Sequence, residues 1–291
     1  MTPFFLSRRQ FLAASAAAGI APAGRTAAEP RRFLFGACQA PDRLALLKEA
    51  GYDFLEADVA GLLMPAKPDE EFDQKTARFL PLPIPIRSCT GFFPHSIPLV
   101  GPSVDMAAIE RHAATTFRRA RQLGISFIVL GSGGSRKIPD GFDPARAREQ
   151  FIEVGRRLGP LAEPCGVTVV LEPLNRGETN FLHTVEEGIG VVDAIAHPNV
   201  QLLADFYHML REDEGPASIE KAGARLRHCH IAEKKDRAAP GTSGEDFRPF
   251  FHALKKIGYA GGVSIEGRWS KDLAADLRRA LETMRRQAAE A

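Results

Sequence analysis

The chain has 291 residues, 44% hydrophobic and 25% charged, enough for a full core, and its longest apolar stretch is far short of a membrane span. Its 38 basic and 36 acidic residues give a net charge of +2, which argues against a dedicated nucleic-acid or polyanion binder. Four scattered cysteines (Cys38, Cys89, Cys165, Cys229) and no CxxC exclude a disulfide scaffold.

The first elements in chain order form an address. Ser7-Arg8-Arg9-Gln10-Phe11-Leu12 precedes a short run of alanines, and small-x-Ala sites end at Ala23 and Ala28. A twin arginine, a weakly hydrophobic run and a cut site in that order resemble a bacterial Tat export leader. The resemblance implies the Tat export machinery as a partner, a periplasmic or exported destination, and no stable membrane anchor after cleavage. Residues 1–28 are therefore set apart from residues 29–291, read as one catalytic domain. The leader takes three of the 38 basic residues and none of the 36 acidic ones, so the mature balance is −1.

From Arg32 onward an amphipathic helix, a glycine and a β-branched run recur. The runs are Phe33–Gly36, Tyr52–Glu56, Ile84–Ser88, Ser126–Leu130, Val167–Glu172, Val200–Asp205, Leu226–Ile231 and Gly262–Glu266. Glycines 51, 124, 166 and 258 stand where a helix ends in the left-handed conformation, and the continuous apolar runs read as strands buried on both faces. Helical 3–4 spacing runs through Met106, Ile109, Ala113, Phe117 and Ala120, through Ala147, Phe151, Val154, Leu158 and Leu161, and through Leu273, Leu277, Leu281 and Met284. Asp143-Pro144 opens one helix, and Thr184 to Glu187 has the pattern of a capping box. Eight strands, each followed by a helix, predict an α/β fold of the (β/α)₈ TIM-barrel type. An open doubly wound sheet is disfavoured because no Gly-x-Gly-x-x-Gly follows the first strand.

The last four strands end in Glu172, Asp205, His230 and Glu266. Side chains alternate along a strand, so Leu171, Cys229 and Ile265 should face the helices and the four polar groups should point inward at the C-terminal rim. Three carboxylates and an imidazole at one rim repel one another unless a cation lies among them. This donor set suits one divalent ion, Mn²⁺, Mg²⁺ or Co²⁺ ahead of Zn²⁺. Glu56 ends the second strand and either reaches the rim or serves the core. Arg136, closing Gly131-Ser132-Gly133-Gly134-Ser135, is a candidate phosphate contact. His95 and Lys137 are expected on exposed loops. His112, His183, His197 and His252 are read as structural, His228 as support for a ligand, and the cysteines as buried free thiols.

Glu172-Pro173-Leu174-Asn175-Arg176-Gly177-Glu178, Asp205-Phe206-Tyr207-His208-Met209, His228-Cys229-His230-Ile231 and Ser264-Ile265-Glu266 together resemble the xylose-isomerase-like barrel superfamily, in particular its sugar isomerase and epimerase group. The resemblance implies Glu172, Asp205, His230 and Glu266 as metal ligands. It also implies Glu172 and Glu266 as the catalytic carboxylates, with Glu178, His208 and Arg237 holding the hydroxyls of a small sugar or keto-sugar. Asp236 stands six residues after His230, where one branch of that group has its arginine, and Arg237 is one residue later. Trp269 also stands where many relatives carry Pro-Phe.

A divalent ion across a carbonyl and its neighbouring hydroxyl stabilises an enediolate, and a carboxylate beside the carbon serves as base. Two carboxylates on opposite faces give epimerisation, whereas one alone gives aldose–ketose isomerisation. A lyase or dehydratase on an oxidised sugar or cyclitol starts from the same enolate. An endonuclease of the superfamily would need more inward histidines and a basic face, and a non-catalytic sugar binder would not need all four ligand types.

Overall fold

The computed structural model describes residues 32–291, so the expected leader at 1–28 lies outside the described residues. Eight parallel strands close into a barrel in sequence order: β1 (Leu34–Cys38), β2 (Phe54–Asp58), β3 (Ile86–Thr90), β4 (Phe127–Leu130), β5 (Thr168–Leu171), β6 (Val200–Asp205), β7 (Leu226–Ile231) and β8 (Gly262–Ile265). The ring is closed by β1 against β8, with Leu34 opposite Gly262 and Ala37 opposite Ile265.

Around the strands lie α1 (Leu44–Ala50), α2 (Asp69–Thr76), α3 (Met106–Gln122), α4 (Pro144–Ala162), α5 (Val185–Ile195), α6 (Phe206–Arg211), α7 (Ala217–Ala222), α8 (Arg248–Lys256) and α9 (Leu273–Glu290). Their ends follow local chemistry. Asp105, Asp143, Thr184 and Asp272 accept hydrogen bonds from the first-turn amides of α3, α4, α5 and α9. Glu187 answers Thr184 by accepting from the amide of His183, one residue outside the usual capping box. No helix among the described residues is long and apolar enough to cross a membrane.

Three details depart from the expected pattern. The third strand begins at Ile86 rather than Ile84, because Pro85 has no N–H to give the ladder. Asp205 ends β6 and also caps α6, so that strand is followed at once by a short helix and then by α7. Cys89 and Cys229 are buried, but Cys38 and Cys165 are only half-buried, since the one ends β1 at the rim and the other lies in a turn; all four are free.

Strand parity divides the core as the sequence implies. Leu171, Cys229 and Ile265 belong to the large apolar layer between strands and helices, while Phe127, Val129, Val170 and Leu203 fill the barrel interior. His228 stacks on Phe127 there, with ring centroids 5.8 Å apart. The interior has room for the ring of Phe54 because position 36 is glycine: a Cβ on Gly36 would lie 2.3 Å from Phe54 Cε2. Gly36→Ala should therefore destabilise the chain by about 1–3 kcal/mol through overpacking. Chemical denaturation measures this, and a change below about 0.5 kcal/mol, the range of ordinary surface substitutions, would contradict the packing described.

Candidate active site

Closure of the barrel brings the ends of β5, β6, β7 and β8 together. One donor atom from each of Glu172, Asp205, His230 and Glu266 lies within 4.8 Å of all the others. His230 is fully buried at the centre, its Nδ1 2.9 Å from Glu172 Oε1 and 3.3 Å from Glu266 Oε2. Asp205 is committed on one side only: Oδ1 accepts from the Tyr207 amide at 2.8 Å, while Oδ2 is buried without a hydrogen-bond partner. His208 Nε2 lies 3.4 Å from that oxygen and is likewise without a partner.

Burial and mutual charge set the protonation balance. Burial, reinforced by Glu266, raises the Glu172 carboxyl, and burial pushes Asp205 up to about 6. For Glu266 burial acts in the same direction, but the attraction of His230 and Arg237 overcomes it and the group ends below its ordinary value. His230 is raised despite its burial, because Glu56, Glu266 and Glu172 surround it. Such a concentration of perturbed groups is characteristic of functional sites. Three carboxylates, one imidazole and a partnerless buried oxygen fit a divalent cation.

The expected substrate contacts lie around this cluster. Arg237 Nη2 donates to Glu266 Oε2 at 2.6 Å and lies 3.7 Å from Asp205 Oδ2, while Nη1 donates to Glu178 Oε1 at 3.3 Å. Asp236 and Arg237 both have positive φ, 60° and 51°, and this left-handed pair turns the chain so that the arginine folds back over the site. Tyr207 lies beneath its guanidinium, 4.8 Å from the ring centroid. Asn175 joins two other contacts, donating to Glu178 Oε1 at 3.2 Å and lying 2.7 Å from His208 Nδ1. Beside the cluster, at the ends of β1 and β2, opens a cavity of about 340 Å³ lined by Cys38, Gln39, Asp58, Lys75 and Thr90.

Two sequence candidates lie elsewhere than the rim. Glu56 is fully buried beneath it, between His228 and His230. Arg136 is fully buried behind the glycine-rich segment; its Nη1 donates to the Leu130 carbonyl at 3.4 Å, while Nε and Nη2 have no hydrogen-bond partner. The glycines before it serve close packing: a Cβ on Gly131 would lie 2.1 Å from Glu172 Oε2, and one on Gly134 would lie 2.9 Å from the His95 ring. Burial lowers Arg136 to about 10, with Glu172 and Glu178 opposing the shift. His95 and Lys137 are exposed, His112 and His183 bond to backbone carbonyls, His197 accepts from the Asn199 amide, and His252 lies on the outer side of α8.

Asn175 and Tyr207 stand within the quoted motifs without an expected role of their own, and Glu233 had none either. The carboxylate of Glu233 is buried and accepts the amides of Gly241, Ser243 and Gly244 at 2.8, 2.5 and 3.2 Å, fixing the loop that follows Arg237. Glu233→Ala should free these amides and cost about 2 kcal/mol of local stability. Hydrogen exchange at 241–244 measures it, and unchanged protection would show that the loop holds itself.

A closed (β/α)₈ barrel with a three-carboxylate, one-imidazole cluster at the C-terminal mouth is the class that fold and site define. The chain belongs to the xylose isomerase-like TIM barrel family, whose sequence profile matches residues 44–287. It is 40% identical over 120 residues to an L-ribulose 3-epimerase of Methylomonas sp. (strain DH-1), covering 41% of this chain and 42% of that protein. It is 37% identical over 119 residues to a D-psicose 3-epimerase of Ruminiclostridium cellulolyticum, covering 40% of each. The matched stretch thus spans about two fifths of the length of these curated relatives. Among solved structures, D-allulose 3-epimerase from Methylomonas sp. in complex with D-allulose superposes with a TM-score of 0.74 at 26% identity, over 89% of this chain and 98% of that one.

Proposed function

We propose that the protein is a divalent-metal-dependent epimerase of a small keto-sugar, inverting a carbon beside the carbonyl. The observation that carries the reading is the convergence of Glu172, Asp205, His230 and Glu266 from four consecutive strands. The ketose 3-epimerases among its relatives support the substrate class.

In this reading Glu172, Asp205, His230 and Glu266 would hold the ion, which would supply Lewis-acid polarisation of the substrate. Glu172 and Glu266 come from β5 and β8, strands that are not neighbours in the ring, and so approach the substrate from different sides. One carboxylate removes the proton from the carbon and the other returns a proton to the opposite face, so the centre inverts through an enediolate. Arg237 neutralises Glu266 from outside and, with Glu178 and His208, offers hydrogen bonds to the sugar hydroxyls. Burial at the bottom of the mouth excludes water from the carbanionic carbon.

Incubation with a panel of keto-sugars in D₂O tests the proposal. One sugar should give its epimer carrying a single solvent deuterium at the inverted carbon, whereas no exchange with any member would contradict it. The twin-arginine leader supports a second part of the proposal, passage through the Tat machinery to a periplasmic or exported destination. The mature protein recovered from its host should begin at Gly24 or Glu29, and a functional pool beginning at Met1 inside the cell would contradict export.

A further inference from the structure

The two histidines of β7 are joined by a side chain from across the barrel. Glu56, on β2, places Oε2 2.9 Å from His228 Nε2 and Oε1 3.0 Å from His230 Nε2, and none of the three residues has exposed surface. Strand β2 is not a neighbour of β7 in the ring, so this link spans the interior.

The two oxygens of Glu56 each face one ring nitrogen at hydrogen-bond distance, and a carboxylate that bridges two imidazoles in this way accepts from both, so each Nε2 carries a hydrogen. His230 is then oriented with its other edge, Nδ1, turned to Glu172 and Glu266. The Nδ1 of His228 has no partner and faces the backbone at Gly262, where a Cβ would lie 3.2 Å away. With its hydrogen on Nε2, His228 leaves no orphaned N–H at that crowded spot. The Ser88 hydroxyl, 3.5 Å from the same Nε2, flanks the link.

We propose that Glu56 is a positioning residue for the metal centre: it holds His230 as the Nε2–H tautomer, so that Nδ1 is the donor to the ion, while His228 braces the carboxylate from behind. The inference rests on the metal-site reading above. A carboxylate behind a ligating imidazole fixes ring orientation and raises ligand basicity, and its loss costs about 10–100-fold in metal affinity. Glutamine at this position offers one acceptor and one donor, so it cannot receive N–H groups from both rings.

The test titrates Mn²⁺ into the full chain and into Glu56→Gln, and records ¹H–¹⁵N spectra of the histidine rings in the Zn²⁺-loaded wild type, with His230→Ala for assignment. The expected results are affinity about 10–100-fold weaker in Glu56→Gln, and a His230 ring carrying its hydrogen on Nε2. Equal affinity in a folded Glu56→Gln, or a His230 hydrogen on Nδ1, would overturn the proposal. Should Glu56→Gln not fold, the wild-type spectrum alone decides. A wild type that binds no Mn²⁺ overturns the metal-site reading itself, an outcome distinct from a wild type that binds and a variant that binds equally.

Discussion

Glu266→Gln is expected to lower epimerisation of the accepted sugar by about 10²–10⁴-fold, and Glu172→Gln to lower it by a similar factor. Glutamine preserves the size of the side chain and one acceptor oxygen, but it neither takes nor returns a proton. The two variants should differ in what they leave. If each carboxylate serves one face, each variant loses exchange with D₂O from one epimer and retains it from the other, and the two losses are mirror images. The retained half-reaction also shows that the site is still assembled, which separates lost proton transfer from lost metal. Exchange from both epimers in one variant and from neither in the other would mean that a single carboxylate does the chemistry. Full turnover in either variant would remove that residue from the mechanism.

Withdrawal of the divalent ion proposed for this cluster should have an effect of comparable size on activity and a second one on stability. Glu172, Asp205 and Glu266 crowd one imidazole, and burial, with Glu266 adding to it, raises both Glu172 and Asp205, so their charged forms are unfavourable without a cation. An ion present at about 1,000 times its Kd stabilises the native state by about 4 kcal/mol, and for a domain of this size that corresponds to a rise in Tm of about 10 °C. Chelation should therefore abolish turnover and lower Tm by about that much, and one equivalent of Mn²⁺ per chain should restore both. Asp205→Asn should behave as the chelated protein at ordinary metal concentrations. A chelated protein with undiminished turnover and Tm would show that the cluster holds no functional ion.

Much of this was legible in the residues themselves. Helix ends followed from single positions such as Asp143-Pro144 and Gly166, whose backbone and side-chain chemistry is local. The four-residue cluster was legible because a polar residue stands at, or one residue from, the end of each of β5 to β8, and alternation fixes which way that residue points once the neighbouring apolar residues are placed outward. What escaped depends on closure of the ring. Nothing near Glu56 in sequence indicates that it lies between His228 and His230, because that meeting is made across the barrel by a non-neighbouring strand. Arg119, buried in α3, escaped for the same reason: its guanidinium gathers the carbonyls of Leu63, Met64 and Lys67 from the loop after β2.

Backbone conformation imposed by tertiary contacts was also invisible. Neither Asp236 nor Arg237 is a residue type that demands positive φ, yet both adopt it, and the Arg268 amide donates to the Arg237 carbonyl at 2.7 Å. That turn lets an arginine one residue later than the resemblance implied still reach Glu266 and Glu178. The glycine-rich segment before Arg136 shows a second limit: its glycines, which suggested an anion loop, also leave room for Glu172, Leu174 and His95. Composition alone does not distinguish a loop opened for a ligand from one thinned for packing.

The ends of β5 to β8 are proposed to hold one divalent ion, and metal content measured on the native chain by mass spectrometry under non-denaturing conditions tests this most directly. One ion per chain is expected in wild type and none in Asp205→Asn of equal secondary structure. A wild-type chain without metal, one carrying several tightly held zinc ions, or an Asp205→Asn variant that keeps its ion would contradict it.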